Sequence, residues 1–300
     1  MNYYIPLLLY LYIMMPTLID IFLGPQNLKN PIINKFFNNN PKVYNIIALV
    51  LIYYFYKFIR HMKNPYISLL GLYVLYLSFW PLTLLMNLLL QCFVKNKNFV
   101  KNYKEFDILE EKYNDHVKHE LDNIYEKYKP KHCIKDVNPG FSIGFSDKKC
   151  WRSINIKSLG KFVLPMDDYP VLKSVLQNKI VSNAFLSILD PHVNIPEHTG
   201  YYRGYLRYHL GYKIPKGAFI SVDGQKYEWT EGKGVMFDDM YPHYVENDTN
   251  YTRIVLYIDI LRKLPAPLHY INTLYIYLIS NHFVLKKITK RDHSVKKLIN

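Results

Sequence analysis

Cysteine is scarce in this chain of 300 residues, which contains only Cys92, Cys133 and Cys150. Their spacing matches neither a zinc-binding pattern nor the framework of a disulfide-stapled domain, so both classes are excluded. A bridge between Cys133 and Cys150 is compatible only with a domain that faces an oxidising compartment. We therefore expect these thiols to be free.

Acidic residues are also few, with 24 Asp and Glu against 38 Lys and Arg, which gives a formal net charge of +14. The excess fits a surface that faces anionic lipid headgroups or acidic substrates. It equally fits a coding bias toward Asn, Lys, Ile and Tyr without selection for charge, and both interpretations stay open. Because no recognised nucleic-acid-binding module is present, no nucleic-acid partner is expected.

Charged residues are almost absent from two long stretches near the N-terminus. Residues 3–23 contain one, Asp20, and residues 66–94 contain none. Both exceed the roughly 18 apolar residues expected of a membrane-spanning helix, and 43–56 is a weaker candidate. The sequence therefore predicts a membrane-anchoring region over residues 1–94 with two or three transmembrane segments.

The basic residues around these stretches bear on membrane orientation. With three spans, the loop 24–42 and the C-terminal domain lie on one side, and this side carries more lysine residues near the spans. The positive-inside rule then leans toward a cytoplasmic C-terminal domain, and with two spans this lean weakens. The predicted localisation is the membrane, multi-pass or anchored, with the side of the domain left open.

Two further segments show helical patterns. Residues 95–130 are charged but carry an apolar stripe near helical spacing, which predicts an amphipathic linker helix. The stripe consists of Phe106, Leu109, Tyr113, Val117, Leu121 and Ile124. Residues 266–300 are first hydrophobic and then basic, which predicts a C-terminal helix. It either lies on a membrane or packs on the domain.

The intervening residues 131–265 have the pattern of a β-domain. Short runs rich in branched and aromatic residues alternate with Gly, Pro, Asn and Asp, and Asp223-Gly224 predicts a tight hairpin. Such closely spaced antiparallel strands are typical of a sandwich or jelly roll. The predicted fold class is mainly β, a jelly roll (double-stranded β-helix) preceded by N-terminal transmembrane α-helices.

Several histidine and arginine motifs interrupt these runs. They are His198-Thr-Gly, Leu-Arg207-Tyr-His209-Leu, Phe-Asp-Asp followed by His243, and Arg253 at the start of an apolar run. Iron needs a few imidazoles with coordination positions left open, and a dicarboxylate needs an arginine at its far end. Spacing alone does not select His198 and His243 over His192 and His209.

Together with Ser187 and Trp229-Thr-Glu-Gly, these motifs resemble the aspartyl/asparaginyl β-hydroxylase family of Fe(II)/2-oxoglutarate oxygenases over about residues 150–265. The resemblance implies three pairs of roles. His198 and His243 would bind iron. Arg207 and His209 would hold the C1 carboxylate of 2-oxoglutarate, and Ser187 and Arg253 would hold its C5 carboxylate.

Gly200 stands where most Fe(II)/2-oxoglutarate enzymes carry a ligating Asp or Glu, which agrees with the two-histidine arrangement of this family. Some residues keep a second interpretation. Ser187 also fits a buried hydroxyl bonded to the backbone. Asp238 and Asp239 fit either an acidic turn or a partner that orients His243. Arg253 begins an apolar run, and a buried arginine needs an anionic partner.

The implied activity is that of a 2-oxoglutarate-dependent dioxygenase, a hydroxylase that uses Fe(II), 2-oxoglutarate and O2. We expect a membrane-anchored, aspartyl/asparaginyl β-hydroxylase-like enzyme acting on peptides or proteins. The alternative is a lipid acyl-chain hydroxylase, since the family includes lipid A 2-hydroxylases and a membrane anchor adjoins the domain. A third hypothesis is an inactive membrane scaffold. The oligomeric state and the third iron ligand are left open.

Overall fold

The computed structural model describes residues 80–94, 97–129, 133 and 150–281, with isolated helical positions between 43 and 57. The chain divides into two compact units, residues 1–93 and 94–300. The predicted span 3–23, most of 43–56 and the first part of 66–94 lie outside the described residues. In the first unit, helix α1 comprises Trp80–Phe93. Within the described ranges, no helix is long and apolar enough to cross a membrane.

The second unit is built on short antiparallel strands, as the alternating apolar runs predict. In chain order they are β1 (Phe99–Val100), β2 (Trp151–Ser158), β3 (Lys161–Phe162), β4 (Val181–Leu189), β5 (Ile195–His198), β6 (Tyr205–Lys213), β7 (Phe219–Val222), β8 (Gln225–Glu228), β9 (Gly234–Phe237), β10 (His243–Glu246) and β11 (Arg253–Leu261).

These strands form two sheets. The seven-stranded sheet has the order β1-β9-β6-β11-β4-β2-β3, and the four-stranded sheet has the order β5-β10-β7-β8. From β4 onward the chain passes repeatedly between the two sheets, as in a jelly roll. The mainly β class is therefore confirmed. The Asp223-Gly224 hairpin is confirmed as well, because β7 pairs with β8 and both turn residues have positive φ, at 52° and 75°, as a tight hairpin turn requires.

Helices cover one face of the seven-stranded sheet. They are a 3-10 turn (Lys104–Phe106), α2 (Asp107–Glu111), a π turn (Tyr113–Val117), α3 (Lys118–Lys127) and α4 (Pro170–Leu176), while α5 (Ala266–Asn281) follows the last strand. All six residues of the predicted apolar stripe are buried and join the core formed with the sheet. The helical segment was predicted to be a linker, but in the structure it belongs to the same compact unit as the strands.

The π turn has a cause in the sequence. Leu109, Tyr113, Val117 and Leu121 recur at every fourth position, whereas an α-helix has 3.6 residues per turn. A regular helix would therefore rotate the stripe away from the sheet. The wider π turn at Tyr113–Val117 compensates for this drift, and all four side chains stay buried.

Helix α4 is held at both ends by charged side chains. The two carboxylate oxygens of Glu120 accept hydrogen bonds from the backbone N–H of Val171 and Leu172, at 2.9 and 2.8 Å. At the other end, Lys157 Nζ donates to the carbonyl of Leu176 at 2.5 Å. Both contacts satisfy helix-terminal backbone groups and have the sign that the helix dipole favours. Burial lowers the pKa of Lys157 to about 8.

Cys133 and Cys150 form a disulfide, so the expectation of free thiols is wrong. Their 17-residue separation does not reveal the Cα–Cα distance, which the structure brings to 5.6 Å, within the usual range for a bridge. Cys150 directly precedes β2, where its backbone N–H donates to Asp190 Oδ2 at 3.0 Å. Asp190 also pairs with Arg152. Cys92, in α1, is an exposed free thiol.

Candidate active site

Strand pairing brings together the two histidines that the resemblance selects. His198 ends β5 and His243 begins β10, and the two residues are direct partners in the antiparallel ladder. Side chains of such partners lie on the same face of the sheet. The centroids of the two imidazole rings are 4.1 Å apart.

Both imidazoles are oriented by backbone carbonyls. Nδ1 of His198 lies 2.8 Å from the oxygen of Pro196, and Nδ1 of His243 lies 2.9 Å from the oxygen of Tyr241. Because Nδ1–H donates in each case, the lone pair is on Nε2, as in metal-binding histidines. Burial lowers the pKa of His198 to about 3, with help from neighbouring His243, and that of His243 to about 4. Both rings are therefore neutral at neutral pH, as metal ligands must be.

At the other end of the site, Arg253 is only 1% exposed. Its Nη1 donates to the carbonyl and the hydroxyl of Ser187, at 3.2 and 3.3 Å. Nε has no hydrogen-bond partner among the described residues, and none of their carboxylates pairs with the guanidinium. Burial lowers the pKa of Arg253 to about 9. A buried arginine without a counter-ion is costly, and a bound anion would compensate for this cost.

Ser187 is buried beside this arginine and is oriented by a tryptophan. Trp151 Nε1 donates to Ser187 Oγ at 2.9 Å, and Arg253 Nη1 also donates to it. Since a hydroxyl oxygen has two lone pairs, these two donors leave the hydroxyl proton free to donate elsewhere. Both of these donors to Ser187 Oγ are side chains of the candidate site.

A row of aromatic rings connects the arginine with the histidine pair. The guanidinium carbon of Arg253 lies 5.0 Å from the ring centroid of Trp229, and the ring of Trp229 is 5.9 Å from that of His209. His209 is 4.9 Å from Phe237, which is 6.0 Å from His243. Trp229 Nε1 and both ring nitrogens of His209 are buried without hydrogen-bond partners in the described part of the chain.

Burial also lowers the pKa of His209, with the charge of Arg253 as the second cause, so its ring is neutral. Folded proteins leave few buried polar atoms unpaired. The concentration of such atoms on Arg253, Trp229 and His209 indicates the position of a polar, anionic ligand.

Arg207 differs from Arg253 because its charge is already neutralised. Its guanidinium lies 2.8 Å from Asp239 and 2.6 Å from Asp259, and Asn183 donates to the other oxygen of Asp259 at 2.7 Å. Two of the five N–H donors of a guanidinium can account for these ion pairs. The remaining N–H donors of Arg207 are available for a ligand, although its charge is already paired.

The side chain of Asp239 occupies the space beside Gly200. A Cβ atom at Gly200 would overlap the Asp239 carboxylate, and the N–H of Gly200 donates to the Asp239 carbonyl at 2.6 Å. Burial raises the pKa of Asp239, although Arg207 opposes the shift. Within the described ranges, no group of three or more His, Cys, Asp or Glu is arranged to hold a metal ion, and the ligands offered are the two imidazoles.

Two alternatives from the sequence are resolved by these contacts. Asp238 accepts from the backbone of Met240 at 3.1 Å and pairs with Arg262 at 2.6 Å, so it forms an acidic turn. His192 is exposed and bonds to Asn250 at 2.8 Å, outside the site.

The sequence alone indicates no role for Trp151, Trp229 or Asp259, although Trp229 belongs to the Trp-Thr-Glu-Gly motif. Asp259 and Arg253 are an even number of positions apart along β11. Alternate residues of a strand lie on the same face of the sheet, so this spacing indicates that Asp259 lies on the same face as Arg253.

These features define a jelly-roll protein whose candidate site combines a pair of buried histidines with a buried arginine that has no carboxylate partner among the described residues. The family model for aspartyl/asparaginyl beta-hydroxylase matches residues 110–263, and the chain belongs to this hydroxylase family. It is 40% identical over 95 residues to the ornithine lipid ester-linked acyl 2-hydroxylase of Rhizobium tropici, covering 31% of this chain and 34% of that protein.

Two human proteins also match. Aspartate beta-hydroxylase domain-containing protein 2 is 33% identical over 107 residues, covering 36% of this chain and 26% of its own length. Aspartyl/asparaginyl beta-hydroxylase is 37% identical over 75 residues, covering 25% of this chain and 10% of its own length. The chain therefore spans about a third or less of the length of these curated relatives.

Solved structures show a remote likeness to cupin domains. A cupin 2 conserved barrel protein from Salinispora arenicola has a TM-score of 0.27 at 13% identity, covering 44% of this chain and 91% of that one. The Cnp3 cupin domain of Schizosaccharomyces pombe has a TM-score of 0.27 at 6% identity, covering 40% and 74%. Because these TM-scores are low, the fold is assigned from the sheet topology of the chain itself.

Proposed function

We propose that this protein is an Fe(II)- and 2-oxoglutarate-dependent dioxygenase that hydroxylates a C–H bond. The row of buried, unpartnered polar atoms from Arg253 through Trp229 and His209 toward the histidine pair carries this proposal. A 2-oxo dicarboxylate has a carboxylate at one end, which Arg253 could bind, and a keto acid at the other end, which would lie near the histidine pair. The chemistry of its two ends therefore matches the two ends of the row.

The residues present fit an iron ion. His198 and His243 would hold it through Nε2, because their Nδ1 atoms are engaged with backbone carbonyls. A ligand set of two imidazoles leaves coordination positions open, as oxygenases require. When bound, the metal supplies the activation of dioxygen, which side chains alone cannot provide.

The arginine end would bind the C5 carboxylate. Arg253 would form charge-assisted hydrogen bonds with it, and Ser187 would add its free hydroxyl proton. Trp229 stacks on the guanidinium and keeps its plane fixed. Because Arg253 has no carboxylate partner among the described residues, binding would form a buried ion pair rather than break one.

The keto-acid end would meet His209 and Arg207. Neutral His209 donates one N–H, and burial prevents competition from water. Arg207 contributes the donors that Asp239 and Asp259 do not use. Its second task is to hold Asp239, which brings a carboxylate beside the imidazoles where Gly200 has no side chain.

Two substrate classes remain for this reaction. One human relative is named as an aspartyl/asparaginyl hydroxylase, and the Rhizobium relative is named for an ester-linked acyl chain. We propose a peptide or protein side chain and a lipid acyl chain as the candidates, with residues 1–94 as the membrane anchor. An inactive scaffold is disfavoured because a buried, unpaired arginine costs stability and would serve no purpose.

The test is conversion of 2-oxoglutarate to succinate by the detergent-purified full chain with Fe(II) and ascorbate. The His243→Ala variant should lose turnover, and His192→Ala should keep it, because His192 is exposed and outside the site. Equal turnover in wild type and His243→Ala would contradict the proposal. So would the absence of both turnover and any calorimetric binding of Fe(II) or 2-oxoglutarate.

A further inference from the structure

Helix α5 (Ala266–Asn281) is apolar on its exposed side as well as on its buried side. It contains no Asp, Glu, Lys or Arg. Leu268, Asn272 and Tyr275 are buried against the domain. The outer face of α5 consists of Tyr270, Ile271, Leu274, Tyr277 and Leu278, and its two tyrosines are 71% and 66% exposed.

Another surface helix of the same unit shows the ordinary pattern. Helix α3 buries Leu121 and Ile124 and exposes polar residues such as Asn123 and Glu126. A helix that is hydrophobic all round normally has apolar surroundings on every side. Contiguous exposed apolar patches of this kind mark interaction sites, so the outer face of α5 needs an occupant.

We propose that the outer face of α5 lies on the surface of an anionic lipid bilayer. Tyrosines are enriched where helices meet the membrane–water interface, and Tyr270 and Tyr277 are the most exposed members of this face. Leu268, Asn272 and Tyr275 are buried on the opposite side of the helix, so lipid can reach only the outer face. The described part of α5 therefore lies along the bilayer surface.

The charge that follows the helix selects a bilayer over other apolar partners. Residues 282–300 contain six Lys or Arg and a single Asp. Basic clusters next to a helix at the membrane surface are attracted to anionic lipid headgroups. Two copies of the chain, each with this positive segment directly after α5 in the sequence, would repel each other, whereas anionic lipid would attract both.

The contacts of α5 connect this surface with the candidate site. Asn272 Nδ2 donates to the carbonyl of Gly204 at 3.1 Å, Tyr202 O–H donates to Asn272 Oδ1, and the rings of Tyr202 and Tyr275 are 4.4 Å apart. The segment that holds the helix thus lies between His198 and Arg207. A bilayer on the outer face would place the site beside lipid and favour the acyl-chain substrate. This last step rests on the proposed function, whereas membrane docking does not.

The experiment measures where one side chain of the outer face resides. The full chain with Cys92→Ser is labelled with a nitroxide at Tyr277→Cys or, as a second reporter, at Leu274→Cys, while the disulfide leaves Cys133 and Cys150 unreactive. The protein is reconstituted into vesicles of equimolar phosphatidylcholine and phosphatidylglycerol. Collisions of the nitroxide with oxygen and with a water-soluble nickel complex are compared.

Both reporters should collide readily with oxygen and poorly with nickel, whereas a label at exposed Lys226→Cys on β8 should show the reverse. Adding Leu274→Asp should increase the collisions of the Tyr277→Cys label with nickel. The adjacent Thr273→Asp should increase them less, since Thr273 is exposed at the edge of the outer face. Nickel access to both reporters in these vesicles would overturn the proposal. Protection from both reagents would also overturn it, because a protein segment or a second copy would then cover the face.

Discussion

The two faces of the seven-stranded sheet follow different rules. Within β6, Leu206, Tyr208 and Leu210 point to the helices and belong to an apolar core. Arg207 and His209 alternate with them and point toward the four-stranded sheet, where both are buried although they are polar. The first face buries apolar side chains, whereas on the second face Arg253 Nε and the ring nitrogens of His209 are buried without hydrogen-bond partners in the described part of the chain. The comparison separates residues that stabilise the fold from residues that are available for a ligand.

The largest expected effect is on the inner face. Arg253→Met should weaken 2-oxoglutarate binding about 100-fold or more, by analogy with removal of one member of a buried charge pair. The free energy of unfolding of the ligand-free protein should stay the same or rise, because an unpaired buried charge is removed. Calorimetric titration and thermal unfolding measure these two quantities.

Arg262→Met is the matched control for this change. Arg262 is also buried, but it pairs with Asp238 at 2.6 Å, so its removal should destabilise the ligand-free protein by about 3 kcal/mol. If Arg253→Met were the more destabilising of the two and bound 2-oxoglutarate normally, the contrast between the faces would be lost.

On the helix-covered face, Leu121→Ala should reduce the free energy of unfolding by about 3 kcal/mol, since Leu121 is fully buried between α3 and the sheet. The affinity of the folded protein for 2-oxoglutarate should not change. Chemical denaturation measures the first quantity and calorimetry the second. Asn123→Ala, on the exposed side of the same helix, should change stability by less than about 0.5 kcal/mol. A large loss of affinity in Leu121→Ala would mean that the two faces are coupled.

Removal of the disulfide tests the edge of the sheet next to the site. Cys150→Ser should lower the free energy of unfolding by about 2 to 3 kcal/mol, because the bridge closes a loop of 17 residues and restricts the unfolded chain. A reductant should reproduce this shift in wild type and leave Cys150→Ser unchanged. Cys92→Ser, which removes the exposed free thiol, is the control. No shift with reductant would show that the bridge does not stabilise the domain.

The smallest expected effect concerns the orientation of Ser187. Trp151→Phe removes the donor to Ser187 Oγ but keeps an aromatic ring, and should weaken 2-oxoglutarate binding by about 1 kcal/mol. Ser187→Ala should have a similar effect. If Trp151 acts through Ser187, the double variant should bind about as well as Ser187→Ala alone, a non-additivity that calorimetric titration would detect. Additive losses would show that Trp151 acts independently.

Much of the fold could be predicted from patterns of apolar residues that extend over short stretches of sequence. The alternation of apolar residues predicted short antiparallel strands within residues 131–265, and Asp223-Gly224 predicted the hairpin because few residues accept its backbone angles. The apolar stripe of the helical segment was also predictable, though its attachment to the sheet was not. A stripe indicates which side of a helix is buried, but it does not indicate what covers that side.

The sequence predicted which residues belong to the candidate site, but it did not predict which of them contact one another. Family motifs selected His198, His243 and Arg253, whereas spacing did not distinguish them from His192 or show that Cys133 meets Cys150. Arg207 and Arg253 are both arginines within apolar runs, yet the fold places two carboxylates beside Arg207 and none of the described carboxylates beside Arg253.

The sequence by itself thus determined the local periodicities and the set of residue types available for chemistry. The tertiary structure decided which histidines become neighbours, which arginine keeps an unpaired charge and which side of α5 meets solvent. The physical reason is that periodicity acts over a few residues, whereas ion pairing, desolvation and strand register depend on segments that are distant along the chain.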